Sequence, residues 1–465
     1  MDLLLIDPPW IVSNDRNLWK RVRSCLPSLG LAYLASYAEK YGHYGCRILD
    51  CTAEEVSVAG VAARLQAFKA DPPRFIGITS TSPLIDNAIH IARLCKEQLP
   101  ESRVILGGVH PSVDPDGVMQ SPHVDAVVRG EGEVTVLELL NGREWKDILG
   151  LTWRDDAGVH HNPERPLIRD LSEIPIPAYH LLPIHRYRPA VGSFRRLPAM
   201  SLFATRGCPG RCTFCHRAFG GKVRKRNAAD VFKEVEYLYL NHGIREICFY
   251  DDTFTVFKKE VAEFCRMLID SKLDISWSCF SRVDRTDESL LRLMKQAGCH
   301  LMLFGVESAD PEVLKNINKR ISLDDVRETF RLCRQIGIDT RASLMFGNPG
   351  ETRESIERTI RFAMEIDPDQ AQFNITTAYR GTELYAWALE NGYLVDEGRN
   401  DFNVSDINLN LPTISPRELQ RAYRWAHVRF YLRPRVILRR LGKIRSREQL
   451  QAEVRGFLGI LGSAF

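Results

Sequence analysis

The chain of 465 residues is roughly three domain lengths at about 150 residues each, which excludes a single small binding module. With 44% hydrophobic and 26% charged residues it has the composition of a folded globular protein, not of a collagen, a low-complexity chain or a disordered adaptor. Lys and Arg number 63 against 59 Asp and Glu, and the net +4 by itself neither demands nor excludes a polyanionic partner.

The N-terminus reads MDLLLIDPPW, and its apolar run stops at Asp7, too short for a signal segment or a membrane span. This predicts a cytoplasmic protein, in which 12 cysteines point to metal or redox work before a disulfide framework. Over 1–142, apolar runs (LLLI, RIL, FIGIT, RVILGG, DAVVRG) alternate with helix-like stretches, which predicts βαβ units and a doubly wound parallel sheet of Rossmann-like α/β type. Such sheets bind ligands beyond the carboxyl ends of their strands, where this chain has DPPW, STSP (80–83), GGVHP (107–111) and RGEGE (129–133). The proline-rich stretch 143–196, with short strand-like pieces such as LTWRD, reads as an ordered connector between domains.

From 197 to 392 the alternation resumes with SLFAT, EICFY, ISWSC, LMLFG, TRASLMF and AQFNIT, and helical stretches end near 241, 271, 297, 317, 336, 365 and 390. Six βα repeats predict a parallel barrel or partial barrel with its chemistry at the strands' C-terminal ends. The region 393–465 reads as helical, and between 417 and 447 it holds 11 Lys and Arg against one acid, a local +10 over a remainder of −6. That stretch suits a phosphate-bearing substrate, an anionic membrane surface or a protein partner, or simply a solvated basic face. KVRKR (222–226) reads as a solvated loop rather than a nucleic-acid site, because no RNA-binding module accompanies it.

TRGCPGRCTFCHR sets Cys208, Cys212 and Cys215 at C-x3-C-x2-C spacing directly after the first barrel strand. Three soft thiolates on one loop suit zinc or an iron-sulfur cluster. The Cys212 to His216 segment also matches the C-x-x-C-H signature of covalent haem attachment, but that reading leaves Cys208 without a role. A cubane 4Fe-4S cluster on three thiolates leaves one iron open to a chelating ligand.

This loop, in this place, resembles the radical SAM superfamily, whose open iron binds S-adenosylmethionine (SAM) and whose fold is a partial (β/α)6 barrel. The resemblance implies that Phe214 packs near adenine and that Asp251 and Asp252 of FYDDTF contact the methionyl amino group. It also implies that Ser281, Arg282, Glu307 and Ser308 meet the SAM carboxylate and ribose. FGNPGET (346–352) resembles the family's fifth-strand turn. TAYRGTEL (377–384) resembles its sixth, with Ala378 and Arg380 replacing prolines; this predicts either a less rigid loop or an Arg380 facing substrate.

The front region is similar to the cobalamin-binding domain that precedes the barrel in one radical SAM subclass, through LLIDPP, LGLAYLA, GITSTS, GGVHPSV and RGEGE. The resemblance implies cobalamin contacts at Ser80, Thr81, Ser82, Gly107, Gly108, Gly130 and Glu131. The loop DPPWIVSND lacks the D-x-H-x-x-G that would supply an imidazole, which predicts no histidine lower ligand to cobalt; among the histidines only His110 is placed to approach the cofactor. The implied function is a methyltransferase that methylates an unactivated sp3 carbon through a 5′-deoxyadenosyl radical and methylcobalamin. A flavodoxin or ferredoxin would be the electron donor. A non-methylating relative such as an anaerobic porphyrin-ring cyclase is the alternative enzyme, and a cobalamin- or redox-sensing binding protein the alternative outside enzymes. The substrate, whether lipid, tetrapyrrole, peptide or antibiotic precursor, is not legible.

Overall fold

Short apolar runs followed by amphipathic helices fold the front of the chain around a parallel sheet. β1 (Leu3–Asp7), β2 (Cys46–Asp50), β3 (Phe75–Thr79), β4 (Arg103–Gly107) and β5 (Ala126–Val128) pair in the spatial order β2-β1-β3-β4-β5. The computed structural model describes residues 1–10 and 24–444 apart from 191, 397, 399–401, 403 and 404, together with 450, 451, 453, 454 and 456. Strand residues alternate between two apolar layers: Leu3 and Leu5 pack with α1 (Leu29–Gly42), and Leu4 and Ile6 pack with α2 (Val58–Leu65) and α3 (Ile85–Gln98). Short helices α4 (Val109–Val113) and α5 (Pro115–Met119) follow β4, and α6 (Glu133–Leu140) lies beside α1.

The stretch read as a connector contributes to this sheet. β6 (Leu151–Asp155) and β7 (Gly158–His161) form a hairpin that pairs antiparallel with β5. Single turns then carry two tyrosines into the interior, where Tyr187 donates to Asp50 of the sheet at 2.8 Å and Tyr179 donates to Glu234 at 2.5 Å.

β8 (Ala199–Leu202) opens a second sheet. β9 (Thr205–Arg206) and β10 (Arg224–Lys225) follow as a short antiparallel clip, and then α7 (Ala228–His242), β11 (Glu246–Phe249), α8 (Lys258–Ser271), β12 (Ser276–Ser281), α9 (Glu288–Gln296) and β13 (Cys299–Glu307). After α10 (Pro311–Asn316) and α11 (Leu323–Ile336) come β14 (Asp339–Phe346), α12 (Arg353–Ile366), β15 (Gln370–Ile375) and α13 (Glu383–Glu390). The six long strands are parallel and ordered β15-β14-β13-β12-β11-β8, so the barrel stays open between β8 and β15. Helix ends fall where the periodicity placed them, closed by left-handed C-caps at Gly243, Lys272, Gly337 and Asp367.

The C-terminal region is less helical than its sequence suggests. Between 394 and 414 the described backbone is irregular, held by the bridges Leu394 to Leu409 and Leu411 to Ile414, because Asn, Asp and Pro412 compete with helix there. A capping box at Ser415 and Glu418 starts α14 (Pro416–Tyr431), which α15 (Pro434–Lys443) follows. Arg433, Arg435 and Arg439 converge on Asp367 at 3.2, 3.3 and 3.0 Å, and Lys443 reaches Asp339 and Asp369 at 2.7 and 2.6 Å. Much of the basic stretch therefore pairs with the acidic lower rim of the barrel; Arg445 and Arg447 lie outside the described residues. Among the described residues no helix is long and apolar enough to cross a membrane.

One apolar core runs from Leu29, Ala32 and Tyr33 of the front domain through Leu171, Tyr179 and Tyr187 into the barrel. A boundary that shares a core resists the hinge motion expected of a small polar interface.

Candidate functional site

Both ends of the cysteine loop are anchored to the front domain. Arg206 donates to Glu131 at 2.8 Å and to Glu133 at 2.7 Å, and Arg224 donates to both oxygens of Glu131 at 2.9 and 2.8 Å. Tyr33 and Phe219 flank the Arg206 guanidinium at 5.2 and 5.3 Å. Glu131 also accepts from Ile168 N–H at 2.8 Å. Burial opposes its charge, but Arg224 and Arg206 together hold its carboxyl below the usual range. Glu131 thus departs from its expected cofactor contact: its oxygens are spent on a clasp between domains. KVRKR is likewise no free loop, since Arg224 and Arg226 are buried and Arg226 pairs with Glu234.

Strand alternation separates the two aspartates after β11. Asp251 points inward, accepting from Ala204 N–H at 3.1 Å and from the Thr205 hydroxyl at 2.6 Å. Burial raises its carboxyl to about 6 despite those donors. It fixes the root of the cysteine loop, whereas Asp252 is exposed on the loop side.

Within the loop, Gly207 adopts φ +99°, and a Cβ there would lie 2.8 Å from the Lys222 carbonyl oxygen. Thr213 N–H donates to Ile317 O at 3.1 Å, Leu384 N–H to Thr213 O at 2.9 Å, and the Asn318 amide to Arg211 O at 2.8 Å, so α10 and α13 buttress the turn. Cys208 Sγ lies 3.4 Å from Gly210 N and 3.7 Å from the Thr253 hydroxyl, and Cys215 is exposed. Burial pushes the Cys212 thiol up, against the pull of Lys319, so loading with metal must release protons. Among the described residues no three Cys, His, Asp or Glu side chains converge on a point where one metal ion would sit. A cubane takes one thiolate per iron and can leave its fourth iron open, so the three thiols of this turn suit the donor set of a 4Fe-4S cluster.

Beside this loop Glu307, at φ +67°, pairs with Lys319 at 2.9 Å, both side chains buried. The pair lies over Gly305, where a Cβ would come within 2.7 Å of Lys319 Nζ. Arg282 is braced by Asp284 at 2.9 Å and by the Arg320 carbonyl at 3.2 Å. Ser281 is buried against the Thr255 hydroxyl, and Phe214 is half-buried on the barrel core. Ser308 is turned away, capping Asp310 N–H at 3.1 Å and touching Thr359 at 3.2 Å. In the 346–352 turn, buried Glu351 accepts from Gly347 and Asn348 N–H at 2.6 and 2.9 Å, and burial pushes its carboxyl up to about 8.

The front sheet presents the crevice between β1 and β3, the switch point of a 2-1-3-4-5 order. Ser80 and Ser82 are buried on its wall and Thr81 is exposed at its lip. His110 Nδ1 lies 3.0 Å from Ser82 Oγ, and burial lowers its basicity. Packing already requires glycine at 108: at φ +99° a Cβ would press on Ser80 O at 2.8 Å. Gly107 has more room, its nearest atom being Val128 O at 3.5 Å, and Gly130 donates to Ser112 Oγ at 3.0 Å. Of DPPWIVSND only the first four residues are described. There Asp7, opposite Asp50 in the sheet register, is pushed up to about 8 by burial and by that second carboxylate. Arg380 faces Asp114 of the front domain at 3.7 Å, and Gly381 lies against Val113.

Sequence reasoning singled out neither Lys319, Arg206, Arg224 nor Asp7. Their partners lie 12 to 93 residues away or across a strand pair, beyond the reach of local spacing.

Residues 202–363 match the model of the Radical SAM superfamily, and residues 18–140 match that of the B12 binding domain. An uncharacterized methyltransferase of Pyrococcus horikoshii is 36% identical over 446 residues, covering 94% of each chain. The anaerobic magnesium-protoporphyrin IX monomethyl ester cyclase of Rubrivivax gelatinosus is 29% identical over 85% of this chain and 71% of its own. The radical S-adenosylmethionine methyltransferase TsrM of Kitasatospora setae, solved with cobalamin and a 4Fe-4S cluster bound, shares the fold at TM-score 0.69 and 20% identity, covering 85% of this chain and 76% of that one. With both family models in this order and a relative matching along nearly its whole length, the chain belongs to the radical SAM enzymes that carry a cobalamin-binding domain.

Proposed function

We propose that this enzyme transfers a methyl group to an unactivated sp3 carbon of its substrate. The observation that carries the reading is the Glu131 clasp, which ties both ends of the cysteine loop to the carboxyl edge of the front sheet and so supports a radical site and a methyl-carrying site side by side. Cys208, Cys212 and Cys215 would hold the cluster. Phe214, Asp252, Ser281, Arg282 and Glu307 border the space for SAM, and Ser80, Thr81, Ser82, Gly107, Gly108 and Gly130 border that for cobalamin. When bound, these groups supply a carbon-centred radical and a transferable methyl group, chemistry that side-chain acids and bases lack. The chain's own part is positional. Asp251 and Glu131 fix the loop, and Lys319 and Arg282 pull the Cys212 thiol toward thiolate against burial and Glu307. A small one-electron carrier of the flavodoxin or ferredoxin kind supplies the reductant. The described cysteines form no disulfide, which agrees with a reducing, cytoplasmic setting.

The test is anaerobic purification with iron, sulfide and cobalamin restored, then incubation with SAM, a reductant and host extract. A product heavier by one methylene together with S-adenosylhomocysteine supports methyl transfer. Deoxyadenosine without methyl transfer favours the second reading, a non-methylating cyclase, for which the Rubrivivax relative is the specific support. Zinc in place of iron overturns the cluster. A Cys212→Ala chain should lose bound iron and all turnover; full biological activity without iron would point to a sensing protein instead.

A further inference from the structure

The two C-terminal helices bury one side against the barrel and leave the other to solvent. In α14, Leu419, Tyr423, Ala426 and Phe430 are buried. The opposite side carries Arg417, Arg421, Arg424 and Trp425 at helical spacing, all exposed, with Trp425 at 56%. Leu432 follows, and α15 buries only Val436 while exposing Arg435, Leu438 (69%) and Leu441 (57%). Among the described residues Arg417, Arg421 and Arg424 make no ion pair, unlike the arginines held by Asp367.

Single exposed leucines are ordinary on a soluble surface. Leucines and a tryptophan interleaved with arginines along two consecutive helices are different, because water satisfies the guanidinium groups but not the side chains between them. We propose that the outward face of α14 and α15 docks the protein on an anionic lipid bilayer. Leu438, Leu441 and Trp425 enter the headgroup boundary, and the arginines meet lipid phosphates and carboxylates. Charge complementarity selects this occupant, since Arg417, Arg421 and Arg424 stand exposed on this face and Glu418 is the one acid of α14 beside them. Against RNA, the leucines find nothing to pack on and Trp425 gives a single stacking ring. Against a protein partner, the face is the outside of helices and offers no groove. Leu419 at the start of α14 packs on Gly347 at the carboxyl end of β14, so the Arg417 end of the face lies at the mouth of the barrel.

The test uses the full chain with its cofactors and sedimentation with vesicles of phosphatidylcholine, with and without phosphatidylserine. Binding is expected only to the anionic vesicles and is expected to fall with salt. Leu438→Ser with Leu441→Ser, and separately Arg421→Glu with Arg424→Glu, should each weaken it about tenfold, with circular dichroism and iron content unchanged. Failure of the unaltered protein to bind anionic vesicles overturns the proposal, as does binding that survives both double variants. A leucine variant that converts a dimer to a monomer in light scattering assigns the face to a second copy and overturns it too. So does retention on single-stranded RNA in preference to vesicles.

Discussion

Lys319 and Glu307 face each other across 2.9 Å beside the cysteine loop, both buried. Replacing one partner leaves the other charge buried without compensation, which costs about 3–5 kcal/mol. Lys319→Met should therefore lower stability by that order in urea titration, and adding Glu307→Gln should restore more than half of it. Equal losses in the single and double variants would assign the cost to packing instead. Glu351 carries a pH dependence of defined sign. Its carboxyl titrates near 4.5 when unfolded and near 8 when folded, so the native state holds a proton that the unfolded state has released. Stability from this group is full below about 4.5 and is lost as the pH rises to about 8, by roughly 3–5 kcal/mol. Glu351→Gln keeps an acceptor for Gly347 and Asn348 N–H, and melting curves between those pH values should become flatter than those of the unaltered protein.

At the level of elements, the β9–β10 clip matters because its two arginines close on one carboxylate of another domain. Glu131→Gln should leave two guanidinium groups short of charge, speed proteolysis between the front sheet and the barrel, and cut turnover at least tenfold while iron stays bound. Loss of iron in that variant would instead place Glu131 at the cluster. The strands and helices of both sheets were legible because alternation and helical period repeat along them; Ala342, Leu344 and Phe346 face the core at every second position. The three cysteines were legible because spacing alone defines a loop of thiolates. Which of Asp251 and Asp252 faces the loop was not, since it depends on the pleat of β11 and on donors at 204 and 205. Nor was the fate of Glu131, whose partners lie 75 and 93 residues away. The place of the β6–β7 hairpin was hidden for a related reason: LTWRD reads as a strand-like piece, but its partner strand β5 is not revealed by local pattern.

Across the whole molecule, the C-terminal helices work as a brace for the barrel's lower rim. Asp367→Asn weakens three arginine contacts at once, so trypsin should cut within 433–443 several-fold faster while the main unfolding transition and iron content hold. An unchanged cleavage rate would show that α15 is held by packing alone. The continuous core between front domain and barrel argues that the two cofactor-binding regions keep a fixed separation.

A closed ring of strands has a bore set by its strand number and stagger. This ring has a slit, and the slit is bridged by a short strap in which Gly192 O accepts from Gln370 at 2.7 Å and Ser193 Oγ accepts from Arg341 at 2.6 Å. Both contacts lie toward the amino ends of β14 and β15, opposite the thiol-bearing turn, so the strap limits how far the open sheet can splay without touching the end where the cysteines sit.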